Sequence, residues 1–275
     1  MKKNLDRDTV ASFGDEWCRF DQSELPVAEA NRIFDEYFAI FPWGSLPKNA
    51  TGFDMGCGSG RWARLMAPHV GHLHCIDPSS ALNVAKATLS GVANVSFHRA
   101  SVDDAPLLPD SQDFGYSLGV LHHIPDTTAA IRSCVAMLKP GAPFQLYLYY
   151  AFDNRSFLFK ITWRCSDLLR RVVCKLPSRM KNLVTDILAV LVYYPLSRFS
   201  LLAEHIGLNV GSIPLSYYRS HSFYTMRTDA RDRFGTPLEQ RFTRQEIFAM
   251  MDSAGLCDVR ISDSAPYWCA MGFKR

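Results

Sequence analysis

Two acidic residues, each at the end of an apolar run, bracket a turn of alternating glycines between Phe53 and Asp77. The first run, Phe53-Asp54-Met55, leads into Gly56-Cys57-Gly58-Ser59-Gly60 and then Arg61-Trp62. The second, His72-Leu73-His74-Cys75-Ile76, ends at Asp77. Alternate glycines let backbone N–H groups approach a ligand closely, and the helix that follows offers its positive end to an anion. An acid closing the second strand stands where a ribose diol is gripped in a nucleotide-binding crossover. The spacing narrows the ligand further. A dinucleotide fingerprint needs its third glycine at position 61, but that position holds Arg61 and the glycine comes one residue early, at Gly60. A bulky side chain there obstructs the helix–strand packing of a dinucleotide site. These residues argue against NAD and for a smaller nucleotide with an amino-acid end, whose ammonium Asp54 could help to neutralise.

A sheet must carry these groups, and the rest of the chain supplies one. Val95-Ser96-Phe97-His98 reads as a third strand, and Asp113 to Ile124 as a fourth strand and its loop. A helix ending at Met137-Leu138-Lys139-Pro140-Gly141 turns into a fifth strand, Pro143 to Tyr150. Thr243-Arg244-Gln245-Glu246 is a capping box opening a helix that Gly255 can close. Cys257 to Ser262 and Tyr267 to Phe273 then read as the last two strands. Upstream, residues 9 to 49 form a helical lead-in, with Val27, Ala30, Ile33, Phe34, Tyr37, Phe38 and Phe41 at helical spacing and Pro26 acceptable in a first turn. The aromatic and acidic cluster from Phe13 to Phe20 shows no obvious period.

This pattern resembles motif I and the following strands of the class I S-adenosylmethionine-dependent methyltransferases. The resemblance is close over about residues 50 to 150, and nearest to the small-molecule branch that includes quinone-biosynthesis methyltransferases. It implies an α/β, Rossmann-like sheet of seven mostly parallel strands in the order 3-2-1-4-5-7-6, the last antiparallel, with helices on both faces. It implies a helical N-terminal lid over 1–49, a cofactor-binding core over 50–150, a mainly helical cap inserted after strand 5 over 151–240, and the last helix and strands over 241–275. The cofactor implied is S-adenosylmethionine, with S-adenosylhomocysteine as product. Asp54, Gly56, Cys57, Gly58 and Gly60 would surround the methionine end, and Asp77 with Pro78 the ribose. Ser101 and Val102 would meet the adenine, and Leu118 and Gly119 would border the sulfonium. The family commonly places an acid at position 101; here either the Ser101 hydroxyl and Val102 backbone take over, or Asp103 reaches in. Phe13, Trp17 and Phe20 either fold over the cofactor or pin the lead-in to the sheet.

With 275 residues and 48% hydrophobic content the chain can bury a sizeable core. The charged opening Met1-Lys2-Lys3 lacks the apolar stretch of a signal peptide. Eight cysteines without a C-x-x-C pair read as free thiols, so a cytoplasmic location is expected. Cys57 reads as a small side chain that fits its loop rather than a nucleophile. A net charge of +3 does not by itself suggest nucleic acid.

The segment from 151 to 240 leaves from the sheet edge where ligands sit in open α/β folds, the right address for a substrate cover. Between Arg155 and Leu202 nine Lys or Arg residues face two acids, Asp167 and Asp186, among many large apolar residues. The preferred reading is ordinary helices over an apolar acceptor cavity, with solvated basic faces. The other is a basic amphipathic surface for a membrane or a lipid-linked acceptor. The apolar run from Leu183 to Leu196, interrupted by Asp186 and Pro195, reads as too short to span a bilayer.

From Tyr217 to Phe234 functional side chains are dense. His221 could deprotonate an acceptor hydroxyl, Tyr218 and Tyr224 could orient it, and Arg219 or Arg227 could bind a carboxylate or phosphate. Alternatively they hold only one another. His123 is the second candidate base. Adjacent histidines such as His122 and His123 point in different directions on most backbones, and without a third ligand no metal site is expected. Tyr147 and Tyr149 fall on one strand face and Tyr150 on the other.

The expected chemistry is in-line methyl transfer to a small-molecule acceptor, apolar, anionic or lipid- or glycan-linked, without nucleic acid as partner. A methyltransferase of RNA or protein is the alternative, supported by the basic stretch. A non-catalytic cofactor-binding scaffold is the third reading.

Overall fold

A computed structural model describes residues 4–211 and 213–275, so the opening Met1-Lys2-Lys3 lies outside it. Seven strands form one sheet: β1 Thr51–Met55, β2 His72–Ile76, β3 Val95–His98, β4 Phe114–Leu118, β5 Pro143–Tyr147, β6 Leu256–Ile261 and β7 Cys269–Lys274. Their order is β3-β2-β1-β4-β5-β7-β6. The first five strands pair in parallel, and β7 runs antiparallel to both its neighbours. This is the expected order and strand sense. The near-continuous apolar runs of β1, β4 and β5 follow from burial on both faces. One face packs Phe53, Met55, Phe144 and Leu146 beneath helical side chains, and the other packs Leu73, Cys75, Phe114 and Tyr116.

The helices are α1 Arg7–Arg19, α2 Val27–Tyr37, α3 Arg61–Met66, α4 Ala81–Thr88, α5 Thr127–Met137, α6 Phe157–Val173, α7 Ser178–Leu188, α8 Tyr194–His205, α9 Phe223–Gly235 and α10 Arg244–Ser253. The reciprocal capping box at Thr243 and Glu246 opens α10 as expected. α1 takes in most of the aromatic and acidic cluster that lacked a visible period. Asp6 caps it by accepting the Thr9 N–H at 2.8 Å. Its buried positions are Thr9, Ser12, Gly14 and Glu16, a small and polar stripe invisible to a hydrophobic pattern. Gly14 permits the close approach: a Cβ there would stand 2.4 Å from Ser80 Oγ.

The chain divides into two compact units. One comprises the residues to Asp21, Asn31–Ala151 and Leu238–Arg275; the other comprises Gln22–Ala30 and Phe152–Pro237. At the centre of the second lies α9, with Met226, Ala230 and Phe234 packed on Val173, Ala189 and Tyr193. Two expectations for this unit are corrected. α7 and α8 join through a π-turn at Ala189–Tyr193 into an unbroken helix of 28 residues, Ser178–His205, long and apolar enough by length and composition to cross a bilayer. The wider turn just before Pro195 accommodates a residue that cannot donate a backbone hydrogen bond. The outward faces of α6 and of this helix are also largely apolar, with Phe157, Leu168, Leu183 and Leu191 exposed among solvated cations such as Arg164 and Arg179.

Candidate active site

The glycine turn follows β1 at the carboxyl ends of the parallel strands, where the sheet order reverses between β1 and β4. Gly56 and Cys57 N–H both donate to the Ile76 carbonyl, at 2.8 and 3.1 Å, tying the turn to β2. Gly56 has φ +83°, and a Cβ there would stand 2.5 Å from both Val120 Cγ atoms. Gly58 has φ +53°, and its Cβ would meet Trp17 Nε1 at 3.0 Å. Only glycine fits such a left-handed, crowded turn without strain. Gly60, also left-handed, caps α3. Trp17 of α1 thus lies against the loop, with the Arg61 guanidinium 5.1 Å from its ring centroid. The result is a cradle of backbone lined on one side by an aromatic ring.

Asp77 closes β2 and accepts three hydrogen bonds: from Gly58 N–H at 3.0 Å, Ser79 N–H at 2.8 Å and Ser79 Oγ at 2.6 Å. Pro78 lies between these partners. The carboxylate is therefore fixed before any ligand arrives. Asp54, 2% exposed, accepts the Tyr116 hydroxyl at 3.0 Å. Burial pushes its pKa up to about 8; the Tyr116 hydrogen bond opposes this, nearby Asp77 adds to it, and Arg61 opposes it. The Cys57 thiol is held well above its ordinary range by Cys75, burial and the charges of Asp77 and Asp54. It stays a protonated thiol, which is no nucleophile.

Past β3, Ser101 Oγ donates to Asp104 Oδ1 at 2.8 Å. Asp103 Oδ2 instead accepts the Asn4 N–H at 2.9 Å. Sequence reasoning missed Asp104; the Ser-x-x-Asp spacing, one turn of 3-10 helix, was its available signal. The Val102 side chain enters the core. Leu118 is buried at the end of β4, and Gly119, with φ +76°, donates to the Tyr147 carbonyl at 3.1 Å.

His122 and His123 follow in a 3-10 turn, Leu121–His123. Their rings do not diverge as expected; the centroids lie 4.0 Å apart. Aromatic neighbours impose this, since Tyr149 stacks on His122 at 3.9 Å and Phe13 lies 4.9 Å from His123. Both His122 ring nitrogens are buried without a hydrogen-bond partner. Burial, then His123 and Arg241, hold its pKa well below the ordinary value, so it is neutral. His123 Nδ1 lies 2.6 Å from the Leu238 carbonyl. A carbonyl can only accept, so Nδ1 carries the proton in that bond. Tyr147 and Tyr149 lie 5.9 Å apart, while Tyr150 turns to Tyr267 and Trp268. Among the described residues no group of three His, Cys, Asp or Glu side chains is placed to hold a metal ion.

His221 and Tyr224 belong to the second unit. His221 Nδ1 donates to the Tyr217 carbonyl at 2.9 Å, and Tyr224 Oη accepts the Gln22 N–H at 2.9 Å. Tyr218 donates to Asp229, Arg219 grips Glu204 through two nitrogens, and Arg227 pairs with Asp186. The dense polar segment is thus tied partly to itself and partly to Gln22, Asp186 and Glu204.

Comparison with known proteins agrees with this arrangement. A family model described as a methyltransferase domain matches residues 53–141. The ubiquinone biosynthesis O-methyltransferase of Marinobacter nauticus is 34% identical over 174 residues, covering 58% of this chain and 68% of that enzyme. The enzyme of the same name from Hahella chejuensis is 30% identical over 168 residues, with the same two coverages. In structure, a phosphoethanolamine N-methyltransferase 2 of Haemonchus contortus, solved with phosphomonomethylethanolamine and S-adenosylhomocysteine, has a TM-score of 0.51 at 16% identity. That match covers 94% of this chain and 47% of the other and speaks for the fold alone. The chain belongs to the class I S-adenosylmethionine-dependent methyltransferases of quinone-biosynthesis type. It is an enzyme of that class, which sets aside the non-catalytic scaffold.

Proposed function

We propose that this methyltransferase acts on a small apolar acceptor bearing a ring hydroxyl. The similarity to ubiquinone biosynthesis O-methyltransferases carries that reading. When bound, S-adenosylmethionine supplies an electrophilic methyl group on a sulfonium. The glycine turn would hold its methionine end: Gly56 and Gly58 are left-handed and packed against Val120 and Trp17 with no room for a Cβ, so the turn presents backbone alone. Asp54 would face the ammonium, Asp77 with Pro78 would take the ribose diol, Ser101 and the Val102 backbone would meet the adenine, and Leu118 and Gly119 would border the reacting centre. The loop and Trp17 exclude water, so alignment supplies most of the acceleration.

An acceptor hydroxyl must lose its proton as oxygen attacks. His123 is the base we propose, because the Leu238 carbonyl holds its Nδ1 and so orients the ring, and an imidazole is suited to take that proton. It also shares the first unit with the glycine loop. His221 and Tyr224 are candidates for acceptor contact from the second unit. Incubation with isotopically labelled methyl donor and native metabolite extract should place label on small apolar products; label in RNA or protein instead would overturn the acceptor class. His123→Gln is expected to lower kcat about 100-fold with cofactor affinity unchanged. Full turnover in His123→Gln with a loss in His221→Gln would move the base to the second unit.

A further inference from the structure

The second unit is built with its polarity reversed. On the helix Ser178–His205 the buried side chains are Lys181, Thr185, Ala189, Tyr193, Ser197, Ser200 and Ala203, three or four residues apart along one stripe. The exposed side carries Leu183, Ile187, Leu191, Phe199 and Leu202. α6 repeats the pattern: its buried residues are Asp167, Arg170 and Val173, whereas Phe157, Ile161, Leu168 and Val172 are exposed. Of the twenty-two exposed large apolar side chains among the described residues, seventeen fall between Phe157 and Leu208. A helix on a water-facing surface turns its apolar stripe to the core. Scattered exposed leucines need no explanation, but continuous stripes mark a surface that meets something apolar.

The inward polar groups are satisfied. Lys181 Nζ donates to the Gly235 carbonyl at 3.1 Å and Thr185 Oγ1 to the Lys181 carbonyl at 2.9 Å. Arg170 bonds Asp167 and the carbonyls of Thr236 and Pro237. The reversal is therefore a stable packing of polar groups around α9.

Charge selects the partner. Both acids of the 155–202 stretch are neutralised, Asp167 by Arg170 and Arg171 and Asp186 by Arg227. Arg164, Lys175 and Arg179 stand exposed beside the apolar stripes. Apolar side chains bordered by cations suit the boundary of an anionic lipid layer, where acyl chains receive the former and phosphates the latter. We propose that the outward faces of α6 and of the helix Ser178–His205 dock this enzyme on the surface of an anionic bilayer. The helix, about 42 Å long at 1.5 Å per residue, could cross a core of roughly 30 Å. The helix, however, is fastened to α9 through buried Lys181 and the half-exposed Asp186–Arg227 pair, so it lies along the interface. This goes beyond the methyl-transfer reading and does not depend on the acceptor.

The test is co-sedimentation of the full chain with vesicles of phosphatidylcholine alone or mixed with phosphatidylglycerol. Binding to the anionic vesicles is expected, about 10-fold tighter than to the neutral ones, and weakened by added salt. Leu183→Gln, Leu191→Gln and Leu202→Gln combined should lower it at least ~10-fold, since buried apolar area sets interfacial affinity. Because these positions are exposed, thermal stability and cofactor affinity should hold. Lys175→Glu with Arg179→Glu should remove the preference for anionic vesicles. Protein left in the supernatant with every composition, or pelleting indifferent to the leucine variant, overturns the proposal. So does a stable dimer that masks the stripes and ignores vesicles, or protease protection showing that the helix crosses the bilayer.

Discussion

Replacing Asp77 with alanine is expected to weaken S-adenosylmethionine binding by about 10- to 150-fold. The carboxylate is held by Gly58 N–H, Ser79 N–H and Ser79 Oγ, so it sits pre-oriented with one acceptor site left for a diol hydroxyl. A hydrogen bond from the diol to that charged acceptor contributes about 1.5–3 kcal/mol. Its loss corresponds to that range in affinity. A second effect acts in the same direction. Alanine strands the Gly58 N–H, and the glycine turn loses one of its ties to β2. Asp77→Asn should have an intermediate effect, because its single amide oxygen can accept from Gly58 or from Ser79 but not from both. Titration calorimetry with S-adenosylhomocysteine, alongside thermal melts, reads both variants. Unchanged affinity in the alanine variant would remove Asp77 from the ribose site.

The first unit was legible because its constraints are local. A glycine turn between strand-ending acids dictates a crossover, and the remaining strands announced themselves as apolar runs between turns. Strand order came from the family resemblance, since pairing between distant segments leaves no periodic trace. α1 was obscured because its buried stripe is Thr9, Ser12, Gly14 and Glu16. The same cause operated on a larger scale in the second unit. A pattern rule assigns leucines to the core, and there Leu183, Leu191 and Leu202 are exposed while Thr185, Ser197 and Ser200 are buried. The amplitude of the helical period was readable, but its direction was not. The continuity of the helix through Pro195 was equally hidden, because a π-turn is a response to packing with no residue code of its own. Ser101 shows the limit at single-residue scale: its partner proved to be Asp104, brought round by a short turn, while Asp103 was taken by Asn4.

Asp54→Asn should stabilise the protein, and increasingly so as the pH rises. The wild-type carboxyl titrates near 3.8 when unfolded and about 8 when folded, chiefly because it is buried. A raised pKa means that the folded state holds the proton more tightly. The associated stability is complete below the unfolded pKa and is lost as pH climbs through the folded one. Between pH 5 and pH 8 that loss amounts to about 4 kcal/mol. Asparagine does not titrate, and its amide oxygen can still accept the Tyr116 hydroxyl. Carboxylates with lowered values, such as Asp167 beside Arg170 and Arg171, lose their contribution toward acid instead and are common to both proteins. The gap between variant and wild type should therefore widen with pH, by roughly 10 °C in melting temperature across that window. Parallel curves would show that the wild-type group is already ionised when folded. The same proton bears on ligand binding, because an ammonium docked beside Asp54 must first drive it off. Wild-type protein at pH 7 should then release protons on binding S-adenosylmethionine, measured as a dependence of calorimetric enthalpy on buffer ionisation, and Asp54→Asn should release none. A buried acid kept neutral until a cation arrives would thus exchange fold stability for selectivity toward the charged end of the cofactor.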